Sequence, residues 1–404
     1  MIRILHFADL HLGIENYGRL DPSTGLSTRV MDFLAALDAV VERAIQEDVD
    51  AVLFAGDAYR TRDPNVTHQR EFARRLARLI RAGIPTVLLT GNHDLPNAHG
   101  RATSLDIYDA LALERVRVIT EPERFTLDTK SGPLQIVGLP WTQRGRFVDA
   151  EEVRSKSTEA IEQDLTGTIE WWLADQASQL DPDIPAVALV HASLQGARFG
   201  SERNLLLGRD MVLTPSALDD PRFDYVALGH IHRHQRLGSL RPLVYAGSLE
   251  RIDFGEEKEE KGFVLVEIER GRARPTFCPW RARPFVTVDV TLDDDEPTEQ
   301  VLNALSAQPI EQAVVRIRVS GAAQQLQKLR LPDVVTAARR AHYFAGLQRV
   351  TTTEARARDA VQWSQDTSVA EVMAHYWVKK RVPEARRRQL LEATQALLAE
   401  EATA

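Results

Sequence analysis

The sequence predicts an α/β fold, stacked sheets flanked by helices, followed by a small α/β domain and a pair of tail helices. Three observations carry this. The early chain alternates strand and helix patterns, the stretch before residue 281 is rich in short apolar runs, and five of those runs end in the same kind of polar residue.

The first element, "IRILHFA", is a short apolar run built from β-formers. In "RVMDFLAALDAVVERAIQE", Val30, Phe33, Leu34, Leu37, Val40, Val41 and Ile45 recur at helical spacing. Strand "DAVLFAG", helix "HQREFARRLARLIRAG" ending at Gly83, and strand "IPTVLLTG" follow. The later runs "AVALVH", "DYVALGH", "PLVYAGS" and "GFVLVEIE" read as strands with polar or glycine ends.

A new beginning falls near residue 281. "WRARPFVTVDVTLDDDEP" gives a strand and an acidic turn, residues 297–307 a helix, and "AVVRIRVSG" another strand. The expected organisation is a main domain over 1–280, a small α/β domain over 281–347, a linker over 348–366 and a helical pair over 367–404. In the tail, Ser368 and Glu371 form a capping-box pattern, and Val369, Val372, Met373, Tyr376 and Trp377 mark one face. Pro383 suits a first helical position, and Leu390, Leu391, Leu397 and Leu398 mark a second face.

Bulk composition narrows the function. With 44% apolar and 27% charged residues in 404, the chain is that of an ordinary globular protein. A single cysteine, Cys278, excludes an internal disulfide framework and fits a reducing, cytoplasmic setting. No apolar stretch approaches the length of a membrane span, and "MIRILHFADLHLG" lacks the long apolar core of a signal peptide. The formal charge of −8 gives no bulk basic footprint, so attraction to nucleic acid would need local arginines, bound cations or a partner.

The chemistry lies at the strand ends. Asp9 and His11 follow one strand, Asp57 the next, then Asn92, His93 and Asp94, then His191, then His230 and His232. In sheet-based α/β folds, sites form beyond the carboxyl ends of strands. Gly56, Gly91 and Gly229 permit tight turns just before these residues. Chance would have to place the same chemistry at five strand ends. Asp, His and Asn without Cys favour Mn²⁺, Fe²⁺ or Zn²⁺ in an oxygen–nitrogen site. Seven ligands exceed one tetrahedral ion and suit two ions, about 4 Å apart, sharing a carboxylate.

"DLH", "GD", "GNHD", a histidine after an apolar strand and "GHIH", in that order, resemble the calcineurin-like metallophosphoesterases. "HFADLHLG" and "GSLERIDFGEEKEEKGFVLVEI" are similar to the SbcD branch, the bacterial relatives of the meiotic-recombination-eleven nucleases. The resemblance implies a two-sheet sandwich flanked by helices, a small capping domain that binds DNA, and a tail helix pair that binds an SbcC-type coiled-coil ATPase. It further implies a homodimer, for which the "RATSLDIYDALALE" region is a candidate contact. The implied activity is Mn²⁺-dependent cleavage of DNA, exonucleolytic from the 3′ end of duplexes and endonucleolytic on single strands.

The resemblance also implies residue roles. One ion would be held by Asp9, His11, Asp57 and His232, the other by Asp57, Asn92, His191 and His230, with Asp57 bridging. His93 would contact the scissile phosphate and protonate the leaving oxygen, and Asp94 would orient His93. Alternate residues of an extended chain stand about 6.6 Å apart, so His230 and His232 can each reach one ion. His234 would lie roughly 13 Å from His230 and is expected outside the cluster. His6 reads as a core histidine, and His68, His99, His342 and His375 lack ligand-like companions. Arg60 stands where the family often has His or Asp. It could hold a phosphate or face solvent. Ser248, Glu250 and Arg251 are expected near the site without assigned roles. Arg386, Arg387 and Arg388 could meet acidic residues of the partner.

Two rival functions share these motifs. One is a two-metal phosphodiesterase or phosphatase acting on small molecules or phosphoproteins. The other is a DNA-end-binding scaffold that has lost catalysis.

Overall fold

The computed structural model describes residues 1–96, 101–142, 158–200, 212–293, 295–351, 377, 380 and 382–401. The chain divides into two compact units, Met1–Val350 and Thr351–Ala404.

The first unit opens with β1 (Ile2–Phe7), α1 (Thr28–Gln46), β2 (Ala51–Phe54), α2 (Val66–Arg81), β3 (Thr86–Leu89), a short α3 (Asp106–Ala110) and β4 (Val116–Ile119). Both long helices start at side-chain caps. The Ser27 hydroxyl accepts from the Arg29 N–H, and the Asn65 amide oxygen from the Thr67 N–H. Next come β5 (Glu123–Thr129), β6 (Gly132–Leu139), α4 (Thr158–Ser178), β7 (Ala186–His191), β8 (Ser193–Leu194), β9 (Val212–Leu213), β10 (Tyr225–Gly229), β11 (Gln235–Leu237), β12 (Leu243–Tyr245), β13 (Lys261–Glu269) and β14 (Arg272–Trp280).

Two six-stranded sheets result, in the orders β14-β13-β1-β2-β3-β4 and β11-β12-β10-β7-β6-β5. β1 to β4 are mutually parallel, and so are β6, β7, β10 and β12. The period of two along each strand divides the core into layers. Ile4, Leu53, Val87, Val187, Leu189 and Ala227 pack between the sheets. Leu5, Phe7, Val52 and Phe54 face α1 and α2. Val137, Ala188 and Val190 pack with Leu165, Ile169 and Leu173 of α4.

After residue 281 the chain forms β15 (Phe285–Thr291), α5 (Pro297–Ser306), β16 (Val314–Gly321), α6 (Ala323–Lys328), α7 (Leu331–Ala338) and β17 (Tyr343–Thr351). Its three strands make a separate sheet, with β15 and β16 parallel, over a core that includes Val288, Val301, Leu305, Ile317 and Val334. It belongs to the same compact unit as residues 1–280. The guanidinium of Arg283 bonds the Asp32 carboxylate of α1 through both Nε (2.6 Å) and Nη2 (2.5 Å). The expected linker begins too early: residues 348–351 are the end of β17.

In the second unit, α8 (Glu384–Glu401) starts just after Pro383, whose carbonyl accepts from the N–H groups of Arg386 and Arg387. Of the expected first tail helix, Trp377 is buried, while Ser368, Val369, Glu371, Val372, Met373 and Tyr376 lie outside the described residues. No helix among the described residues is long and apolar enough to cross a membrane.

Candidate metal centre

The carboxyl ends of β1, β2, β3, β7 and β10 bring all nine sequence-predicted residues into one region. The turns that do this are unusual. Among the described residues outside glycine, eight have positive φ, and four of them are Asp9 (50°), His11 (46°), Asp57 (62°) and His230 (99°). Such backbone is costly for a residue with a Cβ and collects where function demands a particular side-chain direction. The turns brace one another: Asp9 N–H donates to the Gly56 carbonyl and His11 N–H to the Asp57 carbonyl, both at 3.0 Å. Gly56 itself has φ 98°, and a Cβ there would overlap the His191 ring.

The strand ends at Gly229, so His230–His234 is not extended chain. The alternating spacing expected for a strand is therefore replaced by a turn. His234 is placed by other contacts: its Nδ1 bonds the Tyr245 carbonyl at 2.8 Å, and its ring stacks on Phe277 with centroids 4.0 Å apart.

The short contacts form two sets that meet at one carboxylate oxygen. Asp57 Oδ2 stands 3.6 Å from His11 Nε2 and 3.6 Å from His191 Nε2. On one side, His11 Nε2 is 3.0 Å from His232 Nε2. On the other, Asn92 Oδ1 is 3.1 Å from His191 Nε2 and 3.0 Å from His230 Nδ1. Asp9 is fully buried, and its Oδ1 accepts from the His230 N–H at 2.9 Å. Donor atoms of His11, Asp57 and His93 lie within 4.8 Å of one another, as do those of Asp57, His191 and His230.

This donor set fits divalent cations. Ligand atoms about 2.1 Å from one ion stand about 3.0–3.4 Å apart, close to these separations. The electrostatics agree. Burial, then the neighbouring histidines, pushes His11 well below the ordinary imidazole range, and burial and His230 do so for His191. Both rings are held neutral, as ligands must be. Burial, Asp94 and Asp9 push Asp57 well above the carboxylate range, a conflict that a cation beside it relieves.

Outer contacts orient the rings. His191 Nδ1–H donates to the Ala55 carbonyl at 2.6 Å, which leaves Nε2 as the lone-pair nitrogen. His232 Nδ1 bonds Glu256 Oε1 at 2.8 Å. His93 Nδ1 bonds the Arg60 carbonyl at 2.8 Å. Asp94 has a different task from the one expected. Its carboxylate accepts from the N–H groups of Asp57, Ala58 and Gly91 and from the Ser104 hydroxyl, so it ties the β2 and β3 turns together rather than gripping His93.

A model of the calcineurin-like phosphoesterase family matches residues 2–234. The chain belongs to that family. It is 28% identical over 319 residues to the SbcD component of the SbcCD nuclease of Rhodobacter capsulatus, covering 75% of each chain. It is 28% identical over 324 residues to the DNA double-strand break repair protein Mre11 of Haloferax volcanii, covering 80% of this chain and 62% of that one. Against the SbcD component of the Escherichia coli K12 nuclease the identity is 27% over 280 residues, covering 67% of this chain and 66% of that one. The chain thus spans just under two thirds of the length of the last two.

This calcineurin-like phosphoesterase carries site residues that motif reading missed. Glu256 lies beyond the family match, within "DFGEEKEEKGF", where charged residues crowd and nothing in the sequence singles out the buried one. It holds His232 and meets the buried Lys261 ammonium at 2.8 Å. Burial opposes its ionisation, but Lys261 and His232 outweigh this and hold its carboxyl at about 2. Trp141 sets its ring 4.8 Å from that of His230. Ser248 accepts from Lys261, Glu250 accepts from Trp280 Nε1 and the Arg283 N–H, and Arg251 donates to the carbonyls of Glu259, Ala282 and Arg283. Arg60 is exposed, and its carbonyl, not its guanidinium, serves the site.

The remaining histidines lie elsewhere. His6 is fully buried and bonds the Tyr225 hydroxyl, His68 is 3.9 Å from Glu15, and His342 bonds the Thr28 hydroxyl. His99 and His375 lie outside the described residues. The candidate dimer region contains only the five-residue α3, with Ile107 and Leu111 half exposed or more.

Proposed function

We propose that this phosphoesterase is a two-metal DNA nuclease that processes ends in repair and recombination. The observation that carries the two-metal reading is Asp57 Oδ2, which stands 3.6 Å from His11 Nε2 of one contact set and 3.6 Å from His191 Nε2 of the other. The contact sets support one ion on His11, Asp57 and His232, to which the family resemblance adds the buried Asp9, and a second on Asp57, Asn92, His191 and His230. The oxygen–nitrogen donors suit Mn²⁺, Fe²⁺ or Zn²⁺, and among these the resemblance to the SbcD branch points to Mn²⁺. When bound, such a pair of cations neutralises the phosphoryl oxygens and acidifies the attacking water.

The protein's own part is orientation and proton transfer. The Arg60 carbonyl takes Nδ1–H of His93, so the proton that reaches the leaving oxygen comes from Nε2. Nε2 carries that proton only in the imidazolium form; burial, opposed by the Arg60 carbonyl, lowers the His93 pKa, so the cation is scarcer but a stronger acid.

DNA as substrate is supported by the relatives, whose names are those of nuclease and break-repair proteins, and by alignments longer than the family match. The same reading includes 3′-to-5′ action on duplexes, endonuclease action on single strands, and a homodimer in the cytoplasm. The tail over 367–404 would dock an SbcC-type coiled-coil ATPase, with Arg386, Arg387 and Arg388 as candidate contacts for acidic residues of that partner. The net charge of −8 favours the alternative, a phosphodiesterase for small molecules. Comparing kcat/KM for duplex and single-stranded oligonucleotides with that for bis-p-nitrophenyl phosphate separates them. The nuclease reading expects DNA to be preferred; robust turnover of the small diester with no cleavage of either DNA contradicts it.

A further inference from the structure

The turn that holds His232 also holds the small domain, and it does so with three neighbouring side chains. Phe254–Glu256 is a single 3₁₀ turn, started by Asp253, whose carboxylate accepts from the Gly255 N–H. Phe254 enters an aromatic box, 5.5 Å from Tyr17 and 5.0 Å from Phe285 of β15, with the Arg316 guanidinium 4.3 Å from its centroid. Glu257, at the end of the turn, accepts from both the N–H and the hydroxyl of Thr287 on β15. Thr287 in turn accepts from Arg316 Nε of β16. Between these two grips Glu256 points inward, to His232 Nδ1 and Lys261 Nζ at 2.8 Å each and to the Ile252 N–H at 3.0 Å.

We propose that Glu256 is a positioning residue for His232 and that the β15–β16 edge, through Glu257 and Phe254, sets its position. The second domain thereby controls one of the two metal subsites, the one that includes His232, and leaves the other to the strand ends alone. A turn this short has few internal degrees of freedom, so a shift of β15 moves Phe254, Glu256 and Glu257 as one piece. His191 has no such dependence, because its orienting partner is the Ala55 carbonyl immediately after β2. Loss of an outer-shell partner commonly weakens metal binding by roughly 10–100-fold. The effect expected here is confined to one ion. This inference rests on the two-metal reading but not on DNA as the substrate.

The test is calorimetric titration of Mn²⁺ into the full chain, with low-temperature electron paramagnetic resonance to tell a coupled ion pair from a single ion. Glu257→Ala removes the grip on Thr287 without touching Glu256 or His232. It is expected to weaken one ion by roughly 10-fold and to shift the spectrum towards single ions at limiting Mn²⁺. Glu257→Gln, which keeps an acceptor for the Thr287 N–H, is expected to restore most of the affinity. Glu256→Gln should weaken the same ion more. Two ions bound by Glu257→Ala as tightly as by the wild type overturn the coupling, even if its Tm falls, since that marks Glu257 as structural only. Equal weakening of both ions overturns it as well. A wild-type chain that binds no ion overturns the two-metal reading itself and this inference with it.

Discussion

His93 Nδ1 lies 2.8 Å from the carbonyl oxygen of Arg60, so the main chain after β2 helps to orient the His93 ring. His93→Ala should keep both ions and lose cleavage by about 10²–10⁴-fold, the usual worth of a positioned proton donor. Arg60→Ala retains the carbonyl and should keep kcat within a few-fold. Metal content and single-turnover cleavage, measured on the same preparations, check both. Loss of an ion in His93→Ala would show that His93 is a ligand.

Asp57 meets both contact sets, whereas His232 meets one. Asp57→Asn should therefore lose both ions, and His232→Ala one. Metal per chain after gel filtration, by elemental mass spectrometry, distinguishes them. Two ions retained by Asp57→Asn would contradict a bridging carboxylate.

Asp94 accepts three main-chain N–H groups and a hydroxyl while fully buried. In Asp94→Asn one carboxylate oxygen becomes an NH₂, which cannot accept and faces donors. The expected loss is about 2–4 kcal/mol of stability, read as a lower urea midpoint at constant slope. An unchanged midpoint would leave the tie between the two turns without energetic weight.

His6 gives stability a dependence on pH. Burial lowers its pKa from 6.5 to about 3. The unfolded chain takes up this proton near pH 6.5 and the folded chain only near pH 3. Stability is therefore full above about pH 6.5 and falls as the pH drops between the two values. At pH 5 the loss from this group is about 2 kcal/mol. His6→Gln, which can still bond the Tyr225 hydroxyl, should lose about 2 kcal/mol less than the wild type between pH 8 and pH 5. Parallel stability curves for the two proteins would refute the assignment.

The sandwich was legible where burial makes strands uniformly apolar. "AVLF" and "AVALVH" are buried at every position and are strands as expected. β5 and β14 were not read, because as edge strands they carry half-exposed and exposed residues, and β14 contains Pro275 and Pro279; β4 and β6 were not read either, although β6 is buried along most of its length. β17 was missed for a similar reason: its side chains are half-buried or exposed, so no apolar run marks it. In the site, the candidate ligands were visible because Asp, His and Asn are chemically distinctive. Their supports were not. A carbonyl such as that of Ala55 or Arg60 carries no residue signature, the φ of His230 depends on the Asp9 carboxylate that accepts its N–H, and Glu256 is one acid among several. Asp94 was singled out for its adjacency to His93, whereas its hydrogen bonds go to the turns after β2 and β3 and to Ser104.

The most direct test of the two-metal nuclease is digestion of an end-labelled linear duplex by the full chain with Mn²⁺, with Mg²⁺ or with chelator, and with His93→Ala as the contamination control. The account predicts cleavage that requires the divalent ion and vanishes in the variant. Cleavage that persists in chelator, or that His93→Ala performs as well as the wild type, would contradict it.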